Sequence, residues 1–353
     1  MRIFTIALIV SLPMALFGCG LVDRQGPGDV NEARAKNNKR RNLGAEQAPE
    51  TTEQDAVSAQ PGDGTRRKPG SGTDADEAVP KPDACNGWPT PGKQTYAFTW
   101  QGKRYDIQMS IPQGAGPRRA IVMLHGGKGG AASIIDHSKY LDRALKQGYI
   151  AAAPEAERVL LKQHGEYRNR WRTGQYDDDD PNVQHPRDDV RFLDAFARHL
   201  KTDMCVDKVM AMGFSNGGSM GHRWLCEGTE LDALANVAGT LQVAEQRCTG
   251  KNKPVLEYIG TKDPRYHGPA VEGSGKPSAP DSLHLWSRRN GCKGEPEITR
   301  FGDTRCETWT NCRAPTRLCT IRGLGHVYPK KNGPNKCDMD ASEDAWKWFN
   351  EVL

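Results

Sequence analysis

Long apolar runs are scarce in this sequence. Its most continuous one, Ile3 to Phe17, is shorter than the ~20 residues a membrane-spanning helix needs. Aromatic residues make up only 7% of the chain and do not alternate with its basic clusters, so nothing points to a nucleic-acid site. Paired Cys-x-x-Cys sets are missing, which argues against structural zinc. The glycine-rich stretch Gly126-Gly127-Lys128-Gly129-Gly130 lacks the Gly-Lys-Ser/Thr ending of a phosphate loop, so nucleotide binding is not expected. Asp177 to Asp180 puts four carboxylates in a row without the spaced ligands and glycine of a calcium loop, and reads as a solvated loop. No metal or organic cofactor is implied.

Residues 1–18 carry one arginine followed by the short apolar run, the pattern of a secretory signal peptide. Leu16-Phe17-Gly18-Cys19 resembles a bacterial lipobox, in which Cys19 would become the lipid-bearing N-terminus. Gly20 after it resembles outer-membrane sorting. The other reading is a signal peptide cut near Gly18 with Cys19 left as a spare thiol. Residues 19–83 are rich in Gly, Pro, Ala, Glu, Lys, Arg, Thr and Asp. Such a segment cannot bury enough apolar surface to offset chain entropy and reads as a disordered tether. An export route agrees with ten cysteines. Setting Cys19 aside, nine remain, enough for four bridges and one free thiol whose connectivity the sequence does not give.

Residues 84–353 are long enough for one α/β domain with a sizeable core. Strands are expected at Tyr96–Trp100, Tyr105–Ile111, Ala120–Leu124, Ile150–Ala153, Lys208–Gly213, Leu234–Ala238, Val255–Ile259 and Leu318–Ile321. The fully apolar run Ala120–Leu124 suits a central parallel strand buried on both faces. Helices are expected at about Ser138–Gln147, Asp188–Leu200, Gly217–Glu227 and Ser342–Leu353, the second with Val190, Leu193, Phe196, Ala197 and Leu200 on one face. The segment between Asn290 and Cys319 reads as irregular, held by the later cysteines.

The stretch around which these elements are organised is Val209 to Gly218. It is an apolar strand, a glycine-bounded turn and a helix start. Gly213-Phe214-Ser215-Asn216-Gly217 fits the nucleophile-elbow pattern, in which small flanking residues let a strained turn lift one hydroxyl clear of the sheet edge. A helix N-terminus there would meet a developing oxyanion with unpaired N–H groups. Asp263 follows the strand Val255–Ile259, and His326 follows Leu318–Ile321 in a glycine-containing loop. Ser215, Asp263 and His326 thus occur in the chain order of α/β-hydrolase triads. A hydroxyl needs a base to take its proton, and a carboxylate fixes the tautomer of that base. The N–H of Asn216 and that of Gly126 or Gly127 would form the oxyanion hole. His125 and His222 read as structural, and Asp232 precedes a strand rather than following one.

These residues, with Trp100 to Tyr105, Leu124-His125-Gly126-Gly127, Asp188 to Phe192, Cys205-Val206-Asp207 and Gly325-His326-Val327-Tyr328-Pro329, resemble a family of secreted esterases. Its members are feruloyl esterases, acetylxylan esterases and polyhydroxybutyrate depolymerase-like proteins. The resemblance implies an α/β-hydrolase fold, a mostly parallel sheet flanked by helices with disulfide-stabilised loops. It implies hydrolysis of feruloyl or acetyl esters on polysaccharide through a Ser215 acyl-enzyme. A polyhydroxyalkanoate depolymerase is one alternative, and an inactive, polymer-binding surface lipoprotein is another. Trp171 looks like the family's loop tryptophan and would either wall an acyl pocket or pack. Tyr328, where relatives frequently carry tryptophan, is a second candidate for substrate contact. The implied partners are a polymeric ester and, through Cys19, a membrane, so the chain is expected to be an outer-membrane or cell-surface lipoprotein, otherwise periplasmic or secreted.

Overall fold

A computed structural model describes residues 89–114, 118–161, 166–174, 187–250, 252–268, 277–332 and 336–353. The expected signal peptide, Cys19, the tether, Cys85 and the acidic run Asp177 to Asp180 lie outside the described residues.

The chain forms the α/β-hydrolase fold expected from the sequence. Six strands run parallel in the middle of a ten-stranded sheet. They are, across the sheet, β4 (Ile150–Ala153), β3 (Arg118–Leu124), β7 (Val206–Phe214), β8 (Ala233–Val237), β9 (Val255–Gly260) and β12 (Thr316–Ile321). Alanine, valine, leucine, isoleucine and methionine dominate these strands because helices cover both of their faces. Ala120 to Leu124, for instance, are fully buried. Antiparallel strands finish each edge. β1 (Gly92–Trp100) and β2 (Lys103–Ile111) form a hairpin beside β4, while β11 (Thr304–Trp309) and β10 (Glu297–Phe301) extend the sheet beyond β12.

Side-chain alternation along β9 shows how the faces are filled. Glu257 points to one face, where it meets His222 of α4 (Asn216–Glu227), while Tyr258 points to the other and donates to Asp344 of α7 (Ala341–Val352) at 2.7 Å. Helix α3 (Asp189–Asp203) packs on β7 and α4 with Val190, Phe192, Leu193, Phe196, Ala197 and Leu200 buried. Asp188 caps it by accepting from Arg191 N–H at 3.2 Å, satisfying one orphan donor of the first turn.

Two sequence expectations need correction. The helix expected at Ser138–Gln147 is present as α2 (Tyr140–Gln147), and ahead of it lies a helix the sequence did not announce, α1 (Ala131–Ser138), the two separated at Lys139, whose φ of 56° is left-handed. Ala131 and Ile134 of α1 are buried. The loop expected to carry Trp171 contains, ahead of that residue, a small antiparallel ribbon, β5 (Arg158–Leu161) with β6 (Glu166–Asn169). The segment after Asn290 is not irregular, since β10 and β11 lie in it. Every residue of β10 is exposed, so no hydrophobic alternation advertised the strand. The cysteines do staple that region, through Cys292–Cys312 and Cys306–Cys319, the second joining directly paired residues of β11 and β12. Cys226–Cys248 ties the end of α4 to a following loop, and Cys205 is likewise disulfide-bonded. Helix α6 (Ala279–Arg289) was not anticipated. It begins with a capping box in which Ser278 and Asp281 satisfy each other's backbone donors.

Candidate active site

Three loops meet at the carboxyl ends of β7, β9 and β12. The first is the turn at Ser215, whose φ of 56° and ψ of −114° belong to a sparsely populated region. Two glycines make the turn possible. A Cβ on Gly213 would sit 2.5 Å from Gly217 O and 2.6 Å from Gly218 Cα, and one on Gly217 would collide with the carbonyl oxygens of Leu124 and His125. The turn is fixed by Ser215 N–H donating to Val237 O at 2.8 Å and by Ser219 N–H donating to Ser215 O at 2.9 Å. Asn216 opens α4, so its N–H lies at the positive end of the helix.

Asp263 ends the loop after β9 and is completely buried. It caps the short helix α5 (Pro264–His267), its Oδ1 accepting from Arg265 N–H at 2.9 Å. The histidine loop after β12 is bonded directly to this acid loop. Thr261 N–H donates to Ile321 O, Lys262 N–H to Leu324 O, and Gly323 N–H to Thr261 Oγ1, at 3.0, 2.9 and 2.9 Å. These bonds bring His326 beside Asp263 with little freedom. His326 Nδ1 lies 2.6 Å from Asp263 Oδ2, and Nε2 lies 2.8 Å from Ser215 Oγ. With a proton on Nδ1 donated to Asp263, Nε2 accepts from the serine hydroxyl, the polarity a general base requires. Phe214 stacks on the imidazole, with centroids 5.5 Å apart and planes 21° from parallel.

Gly126 and Gly127 lie against the elbow, since a Cβ on them would come 3.3 Å from Phe214 and 3.2 Å from Asn216, respectively. His125 is buried and holds this turn. Its Nε2 accepts from Ala156 N–H at 3.0 Å while Nδ1 donates to Gly126 O at 2.9 Å. His222 packs as expected, with Nδ1 accepting from Trp286 Nε1–H at 3.0 Å and Nε2 3.2 Å from Glu257. Burial lowers the pKa of His222 to about 3 and raises that of Glu257 well above its usual range. Both are therefore held neutral.

Ser215 and His326 open onto a cavity of ≈ 470 Å³ lined also by Gly126, Gly127, Asn216, Phe214, His137 and Gln242. Burial and the charge of Lys330 lower the pKa of His137, keeping its imidazole neutral. Neither Trp171 nor Tyr328 is part of the lining, against the expected substrate contact, and of the two readings of Trp171 packing is the one observed. Trp171 is fully buried. Its Nε1–H donates to His125 O at 3.1 Å, its backbone N–H donates to Asn216 Oδ1 at 2.8 Å, and Asn216 Nδ2 returns a bond to Trp171 O at 3.2 Å. It braces the turn at His125 and the start of α4 from behind. Tyr328 is also buried, bonded to Ser342 Oγ at 2.9 Å, with its ring stacked on His137 at 5.2 Å.

Sequence reasoning missed the cationic lining of the cavity, formed by Lys128, Arg168, Arg170 and Arg265. Arg265 could have been noticed two residues after the predicted acid. Arg168 and Arg170 had no signal, because the ribbon carrying them was invisible in a polar segment. Among the described residues no group of three or more His, Cys, Asp or Glu side chains could hold a metal ion.

Residues 106–276 match the family model of the dienelactone hydrolase family, a span that includes Ser215 and Asp263. The chain is 33% identical to feruloyl esterase B of Piromyces equi over 156 residues, covering 40% of this chain and 29% of that protein. It is 28% identical to feruloyl esterase C of Emericella nidulans over 175 residues, 46% of this chain and 57% of that protein. The chain thus spans less than two thirds of either relative. An acetyl xylan esterase structure from Aspergillus awamori aligns with a TM-score of 0.46 and 11% identity over 70% of this chain and 93% of that one.

Proposed function

We propose that this chain, a member of the esterase-type α/β-hydrolases by its dienelactone hydrolase match and its feruloyl esterase relatives, is an exported serine esterase. Its substrates are carboxylic esters on polysaccharide, of the feruloyl or acetyl kind. The observation that carries the reading is the hydrogen-bond chain Asp263–His326–Ser215 at the mouth of a cavity. In the proposed reaction His326 takes the Ser215 proton as Oγ attacks the ester carbonyl. The oxyanion is held by Asn216 N–H and an N–H of Gly126 or Gly127, and Asp263 stabilises the imidazolium. His326 then protonates the departing alcohol, and water repeats the sequence on the acyl-enzyme.

Residues 84–353 would be the catalytic domain, 1–18 a signal peptide and 19–83 a tether anchored by lipid on Cys19. The disulfides support an oxidising compartment. Acid release from methyl ferulate, acetylated xylan and hydroxybutyrate oligomers, measured for the full chain beside Ser215→Ala, tests the reaction. Turnover of the first or second substrate that vanishes in the variant is the expected result. Preference for the oligomers would move the substrate to polyesters, and no serine-dependent release would overturn the reading. Cys19→Ser should shift the protein from the membrane to the soluble fraction.

A further inference from the structure

Outside the Ser215–His326 pair, the cavity has four neutral polar side chains, Ser133, His137, Asn216 and Gln242, and three of them are already bonded. Ser133 Oγ donates to Gly130 O at 2.7 Å and accepts from Gly130 N–H at 3.2 Å. Gln242 accepts the Thr173 hydroxyl on Oε1 at 2.5 Å and donates from Nε2 to Thr240 Oγ1 at 3.3 Å. Asn216 engages Trp171 with both ends of its amide. His137 differs. It lies four residues beyond Ser133 on α1, which puts both on one helix face. Among the described residues its ring makes aromatic contacts and no hydrogen bond.

The ring is nonetheless held. It stacks on Tyr328, with centroids 5.2 Å apart and planes 11° from parallel, and stands nearly perpendicular to Phe214 at 5.6 Å. Tyr328 is itself fixed by burial and by its bond to Ser342 Oγ. Burial and the charge of Lys330 keep the imidazole neutral, so its edge offers one N–H donor and one bare nitrogen acceptor. A hydroxyl can answer either nitrogen, whereas an ether or carbonyl oxygen can answer only the N–H.

Phe214 indicates which half of an ester meets that edge. Its ring stacks on His326 at 5.5 Å and contacts His137 as well. The departing alcohol oxygen must come within reach of His326 Nε2, the nitrogen that protonates it. An alcohol of about one ring's length laid along Phe214 therefore comes to His137.

We propose that His137 is a specificity residue for the leaving alcohol, hydrogen-bonding a hydroxyl of that half and so selecting esters of polyhydroxy alcohols, such as sugar units, over esters of simple alkanols. The inference rests on the reading of Ser215 as nucleophile and deepens it. His137 acts on the seating of the alcohol and takes no part in proton transfer at the ester.

The test compares methyl 2-O-acetyl-β-xylopyranoside with its 3,4-dideoxy counterpart, which keeps the ester and the ring and lacks the hydroxyls. After correction for the rates with hydroxide, kcat/KM of the full chain should favour the hydroxylated ester about tenfold, as one well-formed hydrogen bond does. In His137→Phe, which keeps an aromatic ring against Tyr328 and Phe214, the preference should fall to about twofold or less, chiefly through KM. His137→Gln, which restores a donor and an acceptor, should recover part of it, and His137→Leu serves if the phenylalanine variant does not fold. A side chain that only packed would slow both esters alike and leave the ratio where it stood. That outcome, or a parent ratio near one, would overturn the proposal while leaving ester hydrolysis in place. Methyl 4-hydroxycinnamate and methyl cinnamate put the hydroxyl in the acyl half instead. Their ratio should not change in His137→Phe, and a fall there without one in the xyloside pair would overturn the assignment to the alcohol. If the folded parent cleaves none of the four esters, the esterase reading fails and this inference falls with it.

Discussion

Replacing Gly213 with alanine puts a methyl carbon 2.5 Å from Gly217 O and 2.6 Å from Gly218 Cα, where ordinary contact begins at 3.4 Å. The neighbours are backbone atoms in the first turn of α4, so no side chain can rotate away. The start of α4 must retreat by about 0.9 Å relative to β7, and Ser215 lies between the two. A shift of that size along the Ser215–His326 axis would stretch the 2.8 Å contact beyond hydrogen-bond range. Misplacement of about 1 Å costs catalysis on the order of 10²-fold, and overpacking a tight site costs about 1–3 kcal/mol of stability. Gly213→Ala should therefore fold, melt at a lower temperature and lose about two orders of magnitude in kcat on a serine-dependent ester. Gly325, adjacent to His326, is the control. A Cβ there meets nothing within 4 Å and its φ is not left-handed, so Gly325→Ala should keep activity within about threefold of the parent, since nothing in its surroundings must move. Kinetics and thermal melts of the two variants side by side decide the matter. Equal losses in both, or a Gly213→Ala enzyme as active as the parent, would refute the steric argument.

Ser215→Ala and His326→Ala should each lower turnover on the order of 10⁶-fold, with a smaller loss for Asp263→Asn, if the three groups act as a unit. Initial-rate measurements over background hydrolysis test this. The buried His222–Glu257 pair predicts a distinctive pH dependence of stability. His222, with its pKa lowered from 6.5 to about 3, contributes stability that is complete above pH 6.5 and lost as pH falls. Glu257, with its pKa raised above 4.5, contributes stability complete below pH 4.5 and lost as pH rises. Between these values the two slopes oppose, giving a plateau. In His222→Gln the plateau should become a decline with rising pH of up to about 1.4 kcal/mol per unit, read from urea melts. Reducing the disulfides of the β10–β12 region should destabilise the fold by about 2–4 kcal/mol per bridge, measured as the shift in melting with and without reductant.

The catalytic candidates were legible because the elbow is a local necessity. Gly213 and Gly217 sit where a Cβ cannot, and the apolar runs before Ser215, Asp263 and His326 are strands that had to be buried. Trp171 shows the limit of such reading. The resemblance left it either a pocket wall or a packing residue, and indole burial with its bonds to His125 and Asn216 turns it away from the cavity. Strand β10 escaped notice because its residues, all exposed at the sheet edge, have no hydrophobic period, and β11 because its inward positions are Thr304 and Cys306 rather than large apolar residues. The α1–α2 break was equally silent, since left-handed Lys139 follows from how the two helices pack and not from a glycine.

Sequence by itself determined the central parallel strands, whose apolar runs can only be buried, and the order of Ser215, Asp263 and His326 along the chain. It also determined the strained turn, through glycines that no other residue can replace. Only the tertiary structure decided that Lys128, Arg168, Arg170 and Arg265 face one cavity and that Trp171 and Tyr328 do not. Those outcomes depend on where separate loops dock at the sheet edge, and docking is set by contacts between residues far apart in the chain, which no local pattern records.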